Sequence, residues 1–302
     1  MTIVHTQNAL TVDVEDWFHD GSRQSGPAEP AEIATVGSRV ERNLGALLDL
    51  LADARTRATL FFLGEVARAH PGLVRRAHAE GHEIACHGDR HVAVTGRTAR
   101  ELLEDLRRAR ESIEEVAGSA PRGFRAPCFL RGPEDFWALD VIAEAGFEYD
   151  SSYMPLRYTP GPVPLLSTHC GPTRLASGLW EFPLPLSRIP TGHVLPCAAG
   201  GFALRALPYS FMERYLERFN REVGPAIVYT HPWELDPGSP KLPGTPVTVR
   251  FFNRLGRRKV AAKLRRLVSD FRFAPIAEVF AEKLDRSHRV DRGCLPARDS
   301  VA

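Results

Sequence analysis

Residues 58–91, ATLFFLGEVARAHPGLVRRAHAEGHEIACHGDRH, decide the fold. Ala58 to Leu63 is a short unbroken apolar run, the pattern of a buried strand. Pro71 near the start and Gly81 at the end bracket a helix, because proline suits the first helical turn and glycine the residue after the last. His82 to Cys86 then reads as a second strand. Strand, helix and strand in close succession imply parallel pairing.

The same alternation extends outward. Ala9 to Val14 reads as a strand, and Glu41 to Ala54 as a helix with Leu44, Leu47, Leu48 and Leu51 on one face. Thr98 and Glu101 form a T-x-x-E capping box ahead of a helix carrying Leu102, Leu106, Ala109, Ile113 and Val116 at spacings of three and four. Gly123 to Ala126 is a short strand, Pro133 to Ala145 a helix closed by Gly146, and Phe147 to Asp150 a strand. Later, Tyr209 to Val223 is a helix and Ala226 to Thr230 a strand. The expected class is α/β. The number of units favours a (β/α) barrel over an open doubly wound sheet, and in both architectures chemistry collects at the carboxyl ends of the strands.

Two stretches break the rhythm: Pro155 to Ser177, rich in Pro, Gly, Ser and Thr, and the Pro/Gly-rich Pro237 to Pro246. The expected organisation is a main domain over 8–235, an extension with a basic helix over 236–284, and a disordered tail over 285–302. The 302 residues are 43% hydrophobic and 25% charged, ordinary values for a globular protein. A formal net charge of +2 gives no global footprint for nucleic acid. There is no run of about 18 apolar residues and no basic-then-apolar leader. The five cysteines (Cys86, Cys128, Cys170, Cys197 and Cys294) are scattered, with no CxxC pair. The expected location is cytoplasmic, with association at the inner membrane.

Ionisable residues stand at five strand ends. Asp13, Glu15 and Asp16 follow the first strand, His87 and His91 follow Cys86, Arg125 follows Phe124, Asp150 follows Tyr149, and His231 and Glu234 follow Thr230. His87 and His91 are four apart, and on a helical turn such side chains share a face and can grip one ion. A carboxylate as third ligand would leave positions open for water, as in catalytic zinc sites. Asp13 lies in an apolar run, where a buried carboxylate needs a partner, and Arg125 can bind it bidentately. His231 suits proton delivery near neutral pH. Trp233 reads equally as a sugar-stacking platform or as core.

These residues, in this order, resemble the polysaccharide deacetylase family (the NodB-homology domain, carbohydrate esterase family 4). The matching segments are T-V-D-V-E-D-W-F at 11–18, T-L-F-F-L-G at 59–64, H-E-I-A-C-H-G-D-R-H at 82–91, F-R-A-P at 124–127, Y-D-S-S at 149–152 and Y-T-H-P-W-E at 229–234. The D-V-E-D-W-F opening and G-G-F-A-L-R-A-L-P-Y at 200–209 are similar to a subgroup found with exopolysaccharide loci linked to the PEP-CTERM/exosortase system. The resemblance implies a distorted, incomplete (β/α) barrel of the NodB-homology type with a C-terminal helical extension. It also implies a divalent metal, zinc foremost, and an N-acetylated polysaccharide or oligosaccharide as substrate. Asp13 takes the base role, His231 the acid role, and Arg125 orients Asp13. Asp150 orients Arg125 or His231, or is only a turn residue. Trp233 and Pro127 are the substrate-binding candidates.

The family's opening usually has two adjacent aspartates, and here Val14 follows Asp13. The ligand beside His87 and His91 is therefore Asp16 or Glu15, with Asp16 preferred because the chain can turn there. The implied activity is N-deacetylation of amino sugars in a bacterial exopolysaccharide or its precursor. The alternatives are a C–N hydrolase of a small cyclic amide on the same scaffold and a non-catalytic carbohydrate-binding protein. The basic segment Arg254, Arg257, Arg258, Lys259, Lys263, Arg265 and Arg266 is either an ordinary solvated helix packed on the barrel or a peripheral contact with anionic lipid or a membrane-bound biosynthetic complex.

Overall fold

The structure, a computed structural model, describes residues 6–19, 37–130, 132–154, 171–185, 187–188, 194–195, 200–240 and 247–285. Most of the Pro155–Ser177 stretch and the tail beyond residue 285 lie outside them.

The strands in chain order are β1 (Gln7–Val14), β2 (Thr59–Phe62), β3 (Glu83–Cys86), β4 (Gly123–Phe124), β5 (Tyr149–Asp150), β6 (Thr173–Arg174), β7 (Trp180–Glu181), β8 (Ser187–Arg188), β9 (Val194–Leu195), β10 (Ile227–Thr230) and β11 (Arg272–Ala274). The helices are α1 (Val40–Asp53), α2 (Gly64–Ala69), α3 (Pro71–Ala79), α4 (Ala99–Ala117), α5 (Trp137–Glu144), α6 (Phe202–Ala206), α7 (Tyr209–Glu222), α8 (Val247–Arg254), α9 (Arg257–Asp270) and α10 (Ile276–Val279). Two 3₁₀ turns, Pro133–Asp135 and Pro232–Leu235, complete the set.

The sheet runs β10-β1-β2-β3-β4-β5-β7-β6, parallel throughout except for the antiparallel β6–β7 pair. It curls into a distorted, incomplete (β/α) barrel. β8 and β9 pair separately. Because the main strands are parallel, their carboxyl ends share one rim.

Each strand shows the period of two that puts successive side chains on opposite faces. Leu10, Val12 and Val14 face the core formed with the helices, alongside Leu60, Phe62, Cys86, Phe124 and Val228. Ala9, Phe61, Ala85, Tyr149 and Ile227 face the barrel interior.

Local sequence explains the helices. α4 starts at the capping box, with Thr98 accepting from the Glu101 N–H and Glu101 from the Thr98 N–H, and it stops at Gly118 in the left-handed region at φ 78°. The segment between β2 and β3 contains two helices, not one. Pro71 has no N–H to give and disfavours helical backbone at the residue before it, so the chain breaks at His70 (φ −130°, ψ 58°).

The C-terminal extension is woven into the barrel. α9 buries Val260, Leu264 and Leu267 in the helix-side core. β11 pairs in parallel with the first residues of β1, with Gln7 opposite Arg272 and Ala9 opposite Ala274. The basic helix is not a uniformly solvated one. Lys263 donates to the Leu204, Arg205 and Leu207 carbonyls at 3.0, 3.1 and 2.6 Å, satisfying the C-terminal end of α6. Arg257 is buried over the Trp233 ring, and Arg266 pairs with Asp270 and lies over Tyr209.

Candidate active site

Extending the period of two past each strand end predicts which residues reach the rim interior. From Ala9 the inner series continues through Thr11 and Asp13 to Glu15. From Ala85 it reaches His87, from Tyr149 it reaches Ser151, and from Ile227 it passes Tyr229 to His231. All of these meet at one place.

Glu15 is the hub. Its Oε1 lies 3.1 Å from His87 Nε2 and 2.8 Å from His91 Nε2, and its Oε2 accepts from Trp233 Nε1 at 3.2 Å. One ligand atom from each of Glu15, His87 and His91 falls within 4.8 Å of the others. The His87 Nδ1–H donates to the Arg125 carbonyl at 2.8 Å, which leaves Nε2 as a lone pair aimed at Glu15. Two lone pairs facing each other at 3.1 Å need a cation between them, so this donor set fits a divalent metal. Burial raises the Glu15 pKa, but the charges of His91 and His231 outweigh it and hold the carboxyl well below the usual range. Burial lowers the His91 pKa, but Glu15 outweighs it and the net direction is upward.

The H-x-x-x-H pair converges without the helical turn that its spacing suggested. Gly88 sits at φ 83° and His91 at φ 52° in an irregular loop. A side chain at Gly88 would also come within 3.3 Å of Asp105 Oδ2 and 3.4 Å of Pro127 Cγ. A non-glycine residue in the left-handed region costs about 1–3 kcal/mol, a strain that clusters at functional sites.

Asp16, the ligand favoured from sequence, points away from this cluster. It falls on the other phase of the strand repeat and accepts from the backbone N–H groups of Trp17, Arg39 and Val40. It thereby caps α1, whose own N-cap residue Arg39 offers no side-chain acceptor. The carboxylate in the histidine cluster is that of Glu15.

Asp13 is 2% exposed and accepts from Arg125 Nη1 at 2.8 Å through Oδ1. Arg125 is fully buried. It also donates to Thr11 Oγ1 at 2.8 Å and to the Ser151 carbonyl and hydroxyl at 3.0 Å each, and it lies over Phe61 with its guanidinium carbon 4.4 Å from the ring centroid. Asp13 Oδ2 is thereby turned toward His231 Nε2, 3.9 Å away. His231 keeps 15% of its side chain exposed and His91 keeps 7%, so both remain reachable from outside. Burial lowers the His231 pKa, but Glu15, Glu234 and Asp13 outweigh it and push the pKa up to about 9.

For two residues with two readings open, the geometry favours the structural one over the catalytic or substrate-binding one. Asp150 occupies the outward phase of β5, so it contacts neither Arg125 nor His231 by hydrogen bond. It accepts from the Ser152 N–H at 3.1 Å and hydroxyl at 2.5 Å, and it stands in register with the equally buried Glu181. The neighbouring Ser151 holds Arg125 instead. Trp233 is 4% exposed, stacks on His231 at 4.8 Å between centroids, and is covered by Arg257 and Arg205. It braces the site and is not a platform open to sugar. Pro127 is half-buried against Gly88.

Two contributors, Arg205 and His19, escaped the sequence reading, and a third, Glu234, was seen there only as a strand-end residue without a role. Glu234 is fully buried, accepts from Arg205 Nε at 2.8 Å and Thr230 Oγ1 at 3.0 Å, and lies 3.5 Å from His231 Nδ1. Burial opposes its ionisation, but His231 and Arg205 push its pKa down to about 2. Arg205 comes from α6, where no strand-end rule points. His19 stacks on His91 at 5.5 Å, accepts from the Asp16 N–H, and has its other nitrogen 2.9 Å from Glu65.

Comparisons with known proteins agree with this geometry. Residues 32–149 match the family model described as Polysaccharide deacetylase, and 151–281 match a domain of unknown function, DUF3473. The chain is 28% identical over 193 residues to a chitooligosaccharide deacetylase of Rhizobium leguminosarum bv. trifolii, covering 54% of this chain and 83% of that one. A crystal structure of a Mycobacterium smegmatis protein assigned as a polysaccharide deacetylase superposes with a TM-score of 0.62 at 21% identity, over 100% of this chain and 97% of the other. The crystal structure of Puue allantoinase shares the fold at a TM-score of 0.55 and 15% identity, over 96% and 92% of the two chains. The curled sheet, the matching segment and the deacetylase relatives agree with one another, and residues 32–149 carry a polysaccharide deacetylase domain.

Proposed function

We propose that this protein is a hydrolase that removes acetyl groups from N-acetylated amino sugars in a polymer or oligomer, releasing acetate and a free amine. The observation that carries the reading is the convergence of two separate devices on one rim. The carboxylate Asp13 and the imidazole His231 are 3.9 Å apart, directly beside the Glu15–His87–His91 cluster.

Glu15, His87 and His91 would hold the divalent metal, zinc foremost, which supplies carbonyl polarisation and a lowered pKa for water when bound. Asp13 accepts the proton of the attacking water through Oδ2, while Arg125 holds Oδ1 and keeps that oxygen aimed. His231 donates its Nε2 proton to the departing nitrogen, because an amide nitrogen leaves only when protonated. Glu234 at its Nδ1 side and the Trp233 ring fix the plane of the imidazole.

We further propose a bacterial exopolysaccharide or its precursor as the substrate, a reading supported by the D-V-E-D-W-F opening and the G-G-F-A-L-R-A-L-P-Y segment. Work at the cytoplasmic side of the inner membrane is the matching location, supported by scattered cysteines that form no CxxC pair.

The test is acetate release from chitooligosaccharides by protein loaded with zinc or cobalt, beside Asp13→Asn and His231→Ala. Activity that falls by about 10²–10⁴-fold in each variant supports the roles. Turnover of small cyclic amides with none of N-acetylated sugars would move the allantoinase-like reading to the front.

A further inference from the structure

Six large apolar side chains are exposed among the described residues, and three of them form one patch. Phe202, Phe251 and Phe252 are 46%, 62% and 50% exposed. Phe252 is in edge contact with both others, at centroid distances of 5.9 Å to Phe202 and 5.6 Å to Phe251. The patch joins α6 to α8 and is braced from beneath. Arg205 lies 5.7 Å from the Phe202 ring, donates to the Phe252 carbonyl at 2.9 Å and reaches inward to Glu234 at 2.8 Å.

The charge along the chain that carries two of these rings has one sign. No Asp or Glu occurs between Pro237 and Ser269. Of the basic residues there, Arg257, Lys263 and Arg266 are engaged within the fold, whereas Arg254, Arg258 and Lys259 are exposed where α8 ends and α9 begins. We propose that this face, Phe202, Phe251 and Phe252 with Arg254, Arg258 and Lys259, docks onto an anionic lipid bilayer.

Contiguous exposed aromatic rings mark an interaction surface. The exposed cations Arg254, Arg258 and Lys259 favour an anionic partner. Phenyl rings at the acyl boundary with guanidinium and ammonium groups at phosphate level are the chemistry of peripheral membrane attachment. A neutral glycan would leave the cations unmatched. No described helix is long and apolar enough to cross a membrane, so the contact is a surface one. Through Arg205 and then Glu234 the face lies two side chains from His231, so docking brings the active rim toward the bilayer. The inference stands apart from the deacetylase reading.

The test is co-sedimentation of the full chain with vesicles of phosphatidylcholine alone or mixed with phosphatidylglycerol, at low and raised salt. Binding should require phosphatidylglycerol and weaken with salt. It should fall about tenfold or more in F251S/F252S and in R258E/K259E, from lost ring burial and lost surface charge respectively. Acetate release from a soluble chitooligosaccharide should be unchanged in both. R258E/K259E alters only exposed side chains and stands as the test if the phenylalanine pair impairs folding. Absence of wild-type binding, or equal binding by the charge-reversed variant, would overturn the proposal. So would a wild-type dimer in ultracentrifugation that F251S/F252S dissociates without any vesicle binding, which would make the face a contact between copies. Failure of vesicle binding in an active enzyme leaves the deacetylase reading intact, and vesicle binding by an inactive protein does the reverse.

Discussion

The indole N–H of Trp233 donates to Glu15 Oε2 at 3.2 Å while the same ring stacks on His231 at 4.8 Å. One side chain thus ties the proposed metal-binding carboxylate to the proposed acid. Trp233→Phe keeps the stack and removes the donor. Groups that orient a metal ligand in this way are typically worth about 10–100-fold in metal affinity. Chelator competition should show a loss in that range, with near-normal activity restored at saturating metal. Unchanged metal affinity would mean that the hydrogen bond is incidental.

Glu15 and Asp16 should separate cleanly. Glu15→Gln should remove bound metal, read by elemental mass spectrometry, with little change in thermal stability. Asp16→Ala should keep metal but lose about 0.5–2 kcal/mol in urea denaturation, the usual cost of a lost helix cap. The opposite pattern would restore Asp16 as the ligand.

Glu234 lies 3.5 Å from His231 Nδ1, and its charge helps to push the His231 pKa up to about 9. Glu234→Gln removes an anion that favours the imidazolium, so the His231 pKa should fall. The basic limb of the kcat profile should then move to lower pH, with KM little changed. A limb that stays in place would assign Glu234 a purely structural role.

Asp150 and Glu181 form a buried carboxyl pair away from the site. Burial first, and then the Asp150 charge, pushes the Glu181 carboxyl well above its ordinary range. The folded state therefore keeps a proton that the unfolded chain sheds near pH 4.3, to within about a unit. The associated stability is fully present below that pH and is lost as pH rises through the folded value. Glu181→Gln should flatten the fall in urea midpoint with rising pH and leave the variant the more stable form under alkaline conditions. Parallel wild-type and variant curves would contradict this protonation.

Much of this arrangement is readable in the chain before folding. The strand-helix alternation gave a parallel sheet, and the strand-end rule brought Asp13, His87, Arg125 and His231 to one rim. The burial of Asp13 in an apolar run called for a cation, and Arg125 lies 2.8 Å from it. What failed was phase. Asp16 and Asp150 follow strands as Glu15 and Ser151 do, but they stand on the outward side of a two-residue repeat. Carrying that repeat one step past Val14 and Asp150 would have separated them. Arg205 and Glu234 were less accessible, because their pairing joins a short helix to a turn 29 positions away and no local pattern marks it.

The pairing of β11 with β1 bears on how the protein is made. The strand that carries Asp13 leads directly into Glu15, and along one edge its first residues, Gln7 to Ala9, pair with Arg272 to Ala274, the last strand of the described chain. During synthesis at about 5–20 residues per second, the earliest strand waits more than ten seconds for that neighbour to leave the ribosome. The strand that leads into the site is thus completed, at the end opposite the rim, by the latest-made strand of the described chain, and a nascent chain stalled before residue 272 holds Asp13 on a strand whose first residues still lack that neighbour.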